Sequence, residues 1–145
     1  MTKKSIKSIT VAVLALISVF FGSEYYKAQD ISAINSGAET IEELYINRQS
    51  GVMVEFEGQV IKLLPDDNKG SRHQRFIVKL NESHTVLIAH NIDLAPRVPI
   101  QSNANITIYG QYEWNEKGGV VHWTHADPNG THEGGWIRFQ DKVYQ

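Results

Sequence analysis

Five of the six histidines in this 145-residue chain fall where side chains could converge. The densest stretch is His122-Trp123-Thr124-His125-Ala126-Asp127-Pro128, followed by His132 and Gly134-Gly135-Trp136. Imidazole titrates near neutral pH and is the commonest metal ligand. Three histidines and an aspartate within eleven residues, flanked by tryptophans, point to a site. Two imidazoles and a carboxylate match known zinc and non-haem iron sites. His125, Asp127 and His132, in or near loop, are therefore the expected ligand set for a divalent metal such as zinc. His122 and His125 are three apart, and on a strand that offset puts them on opposite faces. They can share an ion only if the strand ends or bulges between them, and Pro128 after Asp127 indicates an end nearby.

Two further groups could serve the same chemistry. His90 alternates with Val86 and Ile88, so it points to the apolar side, yet Asn91 and Asp93 follow at a strand end. A carboxylate such as Asp93 can orient an imidazole. Gly70-Ser71-Arg72-His73-Gln74-Arg75, with Lys62, Lys69 and Lys79, is the one basic region of an acidic body. Arginine suits bidentate contact with phosphate or carboxylate, so Arg72, His73 and Gln74 are expected ligand contacts. The competing reading is an exposed hairpin whose charges Asp66 and Asp67 balance. Trp114, Trp123 and Trp136 sit beside these polar candidates, and at least one is expected to line a pocket. His84, in a polar turn, is expected to be solvated.

The elements that must hold these residues are mostly strands. Thr40-Ile41-Glu42-Glu43 has capping-box form, and Ile41, Leu44, Tyr45 and Arg48 follow helical spacing, with Gly37 as a break and Gly51 as a stop. From Gly51 the period becomes two: Val52, Val54, Phe56, Gly58 and Val60 face one way. Pro65 to Gly70 reads as loop. Further strands place Phe76, Val78 and Leu80, then Val86, Ile88 and His90, then Ile106, Ile108, Gly110, Tyr112 and Trp114 on inner faces. Asn115 to Gly119 is a hairpin turn, Val120 to His125 a fifth strand, and the tail from Asp127 packs back. Five strands with a long connection between the third and fourth predict a mainly β fold, a small five-stranded OB-like barrel. A small β-sandwich is the alternative. The expected organisation is an export signal or N-terminal anchor over 1–28, a helical lead-in over 30–50 and the barrel over 51–145.

Lys3, Lys4 and Lys7 followed by the apolar run Ile9 to Phe21 read as a signal peptide, too short for a spanning helix. The chain is thus expected to be periplasmic or secreted, with membrane attachment only through an uncleaved N-terminus. Without those lysines 11 Lys and Arg face 16 Asp and Glu, a charge of −5 that disfavours non-specific nucleic-acid binding. The absence of cysteine excludes disulfides, thiolate metal sites and a cysteine nucleophile.

Leu63 to Asp67, Gly70 to Phe76, Ala89 to Ala95, Tyr112 to Asn115 with Lys117-Gly118-Gly119, and His122 to Pro128 together resemble a family of short exported bacterial proteins known as a domain of unknown function. The resemblance covers about Gly51 to Tyr144. Family members often carry His-His-Asp-Pro where this chain has His125-Ala126-Asp127-Pro128. The resemblance implies export and one domain, and no activity. Two function classes follow from the residues. One is an envelope binding module with a pocket of Arg72, His73, Gln74, His90, Asn91, Asp93, Trp114, His122, Trp123 and Trp136 for a small anion, glycan or protein. The other is a metal-dependent hydrolase, a phosphodiesterase or nuclease, with His73 or His90 as general base and Arg72 steadying negative charge.

Overall fold

A computed structural model describes Gly37 and residues 40–145. The expected export signal and most of the helical lead-in lie outside the described residues. Among these residues no helix is long and apolar enough to cross a membrane.

Residues 40–46 are helical and bury Ile41 and Leu44. Arg48, with φ 53°, ends the helix: Gln49 N–H reaches the Leu44 carbonyl and Arg48 N–H that of Tyr45. Those bonds satisfy carbonyls that a helix end leaves free. Gly37 is also helical and buried, which corrects its reading as a break. A Cβ there would lie 1.9 Å from the Glu55 carbonyl oxygen, so glycine at this position allows close approach to the sheet.

Alternating burial then builds seven strands: β1 (Val52–Asp67), β2 (His73–Lys79), β3 (Thr85–Asn91), β4 (Asn105–Glu113), β5 (Val120–His122), β6 (Trp136–Phe139) and β7 (Lys142–Tyr144). β1 pairs with β4 over Val52–Gln59 and with β2 from Gln59 onward. This handover closes a ring in the order β1-β2-β3-β5-β4 and back to β1. All pairs are antiparallel except β3 with β5. Val54, Phe56, Phe76, Val78, Ile88, Ile108 and Val121 fill the ring, each at most 4 % exposed.

Three strand boundaries depart from the sequence expectation. β1 continues through Pro65 to Asp67, because bulges after Val60 and Leu64 let it keep pairing with β2 where turn residues predicted a loop. β5 stops at His122 instead of reaching His125, because Trp123 takes a left-handed conformation with φ 55°. The tail adds strands of its own: β6 pairs with β4, and β7 pairs with β6. Gln140 and Asp141 both have positive φ between β6 and β7, as a two-residue hairpin turn matching the strand twist requires.

The connection from β3 to β4 covers the core with Ala95, Val98 and Ile100. It is held by Gln74 and His90, which face each other in the β2–β3 register. Gln74 Nε2 donates to the Val98 carbonyl at 2.8 Å, and Val98 N–H donates to Gln74 Oε1 at 3.0 Å. His90 Nε2 donates to the Pro96 carbonyl at 3.1 Å.

Candidate functional site

The left-handed turn at Trp123 brings His125 back to the side occupied by His122. Both line a cavity of about 360 Å³ together with Ser71 just before β2, His73 at its start, Asn91 at the end of β3, Leu94, Trp123 and side chains of the loop from Asp127 to His132. The three-residue offset of a continuous strand would have separated the two rings. The interrupted strand unites them, with His73 and His132, in one place.

The loop is fixed from within. Asp127 Oδ2 accepts from the N–H of His132 at 2.9 Å and from the N–H and hydroxyl of Thr131. Its Oδ1 accepts from Asn129 N–H at 3.1 Å. The His132 N–H, with those of Asn129 and Thr131, outweighs burial and holds the Asp127 carboxyl well below the usual carboxylate range. Gly135 N–H donates to the His125 carbonyl at 2.9 Å, closing the loop onto its base.

Three rings share one tautomer. His73 Nδ1 lies 2.8 Å from the Ser71 carbonyl, His125 Nδ1 2.7 Å from that of Ala126, and His132 Nδ1 2.7 Å from that of Glu133. A carbonyl only accepts, so each Nδ1 carries the proton and each neutral ring keeps its lone pair on Nε2. Trp123 stacks on His125 at 6.2 Å and meets His132 edge-on. The fourth ring differs: His122 Nε2 is buried without a hydrogen-bond partner, 3.7 Å from Glu113 Oε1. That spacing is too long for a hydrogen bond, and burial outweighs Glu113 to hold the imidazole below the ordinary histidine range. His125 and His132 stand with ring centroids 6.1 Å apart, and His132 Nε2 is 3.8 Å from Asp127 Oδ1. Among the described residues no three His, Asp or Glu side chains are already spaced to hold a metal ion. The expected triad is therefore adjacent but not assembled, since Asp127 chiefly serves its own loop.

The family model described as "Protein of unknown function (DUF3465)" matches residues 25–145. The chain belongs to the DUF3465 family. Comparison with curated proteins finds no match.

In this DUF3465 domain the remaining candidates lie elsewhere. His90 is wholly buried: its Nδ1 accepts from the Thr124 hydroxyl at 2.8 Å while Nε2 donates to Pro96. Burial holds its pKa below the ordinary range. It is a satisfied core histidine with neither nitrogen left for a substrate. Asp93 does not orient an imidazole. Its carboxylate takes the Arg72 backbone N–H and Nε, both at 2.7 Å, and these bonds lower its pKa. Arg72 is thereby tethered beside the cavity and does not line it. Gln74 is buried against Val98, and Asp66 pairs with Arg97 instead of balancing the hairpin. Trp114 stacks on Tyr45 beneath Arg48, and Trp136 packs between Tyr109 and Arg138, so only Trp123 lines the pocket. His84 is buried, not solvated: Nε2 donates to the Gly118 carbonyl at 2.8 Å and the ring meets Tyr45. Sequence reasoning missed Ser71, Leu94, Asn129 and Thr131 as pocket residues. Of these, Asn129 and Thr131 follow an Asp-Pro turn whose backbone-binding habit was legible.

Proposed function

We propose that the protein is an exported envelope binding module, built on an OB-like barrel, that holds a small ligand in the His73–His122–His125–His132–Trp123 cavity. The ring order and the single parallel pair support the barrel reading. Lys3, Lys4, Lys7 and the short apolar run support export. One observation carries the binding reading. Three imidazoles on three separate turns of chain give Nδ1–H to backbone carbonyls, leaving three Nε2 lone pairs beside one cavity. Such fixed tautomers on a braced loop favour holding a ligand over solvated display. The hydrolase reading keeps only His73 as its base, because His90 and Arg72 are engaged elsewhere.

Trp123 provides the assay, since its indole fluorescence reports on the cavity. Titration of the full chain with inorganic phosphate, citrate, N-acetylglucosamine and zinc chloride should change this fluorescence with at least one probe. A Trp123→Phe variant should lose the signal. A wild-type signal indifferent to all four probes contradicts the binding reading. A reporter fused after Gln145 and active only outside the cytoplasm tests export, and activity confined to the cytoplasm contradicts it.

A further inference from the structure

We infer that the ligand of this cavity is an exchangeable divalent transition-metal ion of the imidazole-preferring kind, copper(II), zinc or nickel, captured between His125 Nε2 and His132 Nε2. This rests on the reading of the cavity as a binding site. A neutral ring whose Nδ1–H is fixed on a carbonyl offers its second nitrogen as an acceptor only. Metal-bound histidines are held in the same way, by a bond from the other ring nitrogen to a carbonyl or carboxylate. His125 and His132 both have that arrangement. A cavity lined by such acceptors calls for a Lewis acid or a donor-rich ligand, and imidazole suits zinc, copper and nickel.

The spacing admits the ion. With a metal–nitrogen distance of about 2.1 Å, a ring centroid stands about 3.2 Å from the metal, so two rings reach one ion when their centroids are up to about 6.4 Å apart. His125 and His132 stand at 6.1 Å. With both rings left in place at 6.1 Å, the nitrogen–metal–nitrogen angle is about 145°, wider than the tetrahedral angle, which needs about 5.2 Å. Asp127 Oδ1, 3.8 Å from His132 Nε2, receives only the Asn129 N–H and keeps a lone pair for the same ion. His73 Nε2 is a third imidazole acceptor of the cavity with a carbonyl-fixed tautomer.

The same geometry says what kind of site this is. Among the described residues no three ligand side chains are in coordination spacing beforehand, and the sequence has no cysteine thiolate to tighten the grip. A closed structural zinc site has four protein ligands in place. Two imidazoles with an adjacent carboxylate leave positions for water or for a ligand offered by another molecule. The ion should exchange readily, and the fold should survive without it, because the loop is braced by Asp127 and Gly135.

The test uses the full chain freed of metal with a chelator, then titrated with copper(II) and zinc salts. One ion per chain is expected, and electron paramagnetic resonance of the copper form should show coupling to two imidazole nitrogens. His125→Gln and His132→Asn should each weaken binding at least tenfold and reduce the coupling to one nitrogen. Should either variant misfold, nitrogen NMR of the wild type keeps the test decisive, since zinc should move the Nε2 resonances of His125 and His132. Copper or zinc that leaves those resonances unmoved, or binds both variants as tightly as the wild type, overturns the inference. If inorganic phosphate or N-acetylglucosamine alone perturbs Trp123, the metal inference fails and the binding module stands. If no probe perturbs Trp123 and no metal binds, both fail.

Discussion

Gly135→Ala tests whether the cavity loop is held by backbone contact. The Gly135 Cα faces two carbonyl oxygens: an added Cβ would lie 2.2 Å from that of Trp123 and 2.4 Å from that of Tyr109. Both belong to backbone, one at the loop base and one on β4, so neither swings aside as a side chain would. Ordinary contact begins near 3.4 Å, so one segment must move by about 1 Å. Overpacking of this kind typically costs about 1–3 kcal/mol, and two simultaneous backbone overlaps place this case near ~3 kcal/mol. For a domain of this size that lowers the melting temperature by roughly 10 °C. The displaced segment carries His125 and His132, so zinc or phosphate effects on Trp123 should fall as well. Gly130→Ala is the control: its φ is +63° but nothing lies within 4 Å of the added Cβ. Only the left-handed backbone penalty applies there, about 1 kcal/mol. Calorimetry of the two variants decides the matter. A Gly135→Ala protein melting within about 2 °C of the wild type, with unchanged His132 ring resonances, refutes the reasoning.

Three other outcomes are expected. Thr124→Val strands the buried His90 Nδ1 lone pair and should cost about 1–3 kcal/mol in urea unfolding; no loss would mean that His90 is not held as described. Gln74→Leu leaves the Val98 N–H without its partner, while the Val98 carbonyl keeps the Ile100 N–H, and should cost about 1–3 kcal/mol, with faster hydrogen exchange at Val98 as its signature. Burial lowers the pKa of His90 and of His122 in the fold, so the unfolded chain binds protons that the native state refuses. Their contribution to stability is complete above the unfolded value of about 6.5 and falls as pH drops below it. The depressed Asp127 and Asp93 carboxyls lose theirs only below about pH 4. Unfolding free energies that stay level from pH 7.5 to 5 would contradict the buried neutral His90.

The alternation of Val54 and Phe56, Phe76 and Val78, Val86 and Ile88, and Ile106 and Ile108 made four of the five ring strands legible, because one buried face imposes a period of two. The handover of β1 from β4 to β2 was legible only as unusual length. The bulges through Pro65 were hidden, since turn-forming residues and bulged strand residues draw on the same types. The β6–β7 hairpin was hidden for a related reason: Gln140 and Asp141 adopt positive φ without the glycine that normally announces such a turn. In the site, residue chemistry singled out His73, His122, Trp123, His125, Asp127 and His132, and all six line one cavity. What brought them together, a left-handed tryptophan, has no sequence signature, since positive φ is rare for bulky side chains. His90 and Gln74 show the opposite failure. Polar types at strand ends suggested ligand contacts, but both bind the backbone of the β3–β4 connection.

The fixed tautomers of His73, His125 and His132 are what make the cavity a set of acceptors. Long-range proton–nitrogen NMR of the metal-free, uniformly nitrogen-labelled chain near pH 8 reads them directly. The expected result is an Nδ1–H on all three rings, with Nε2 shifted as an unprotonated nitrogen. His90 should show the reverse, with its proton on Nε2. If His125 and His132 carry their protons on Nε2, or exchange between tautomers as exposed rings do, the cavity lacks the acceptors assigned to it and its reading as a metal-capturing pocket is contradicted.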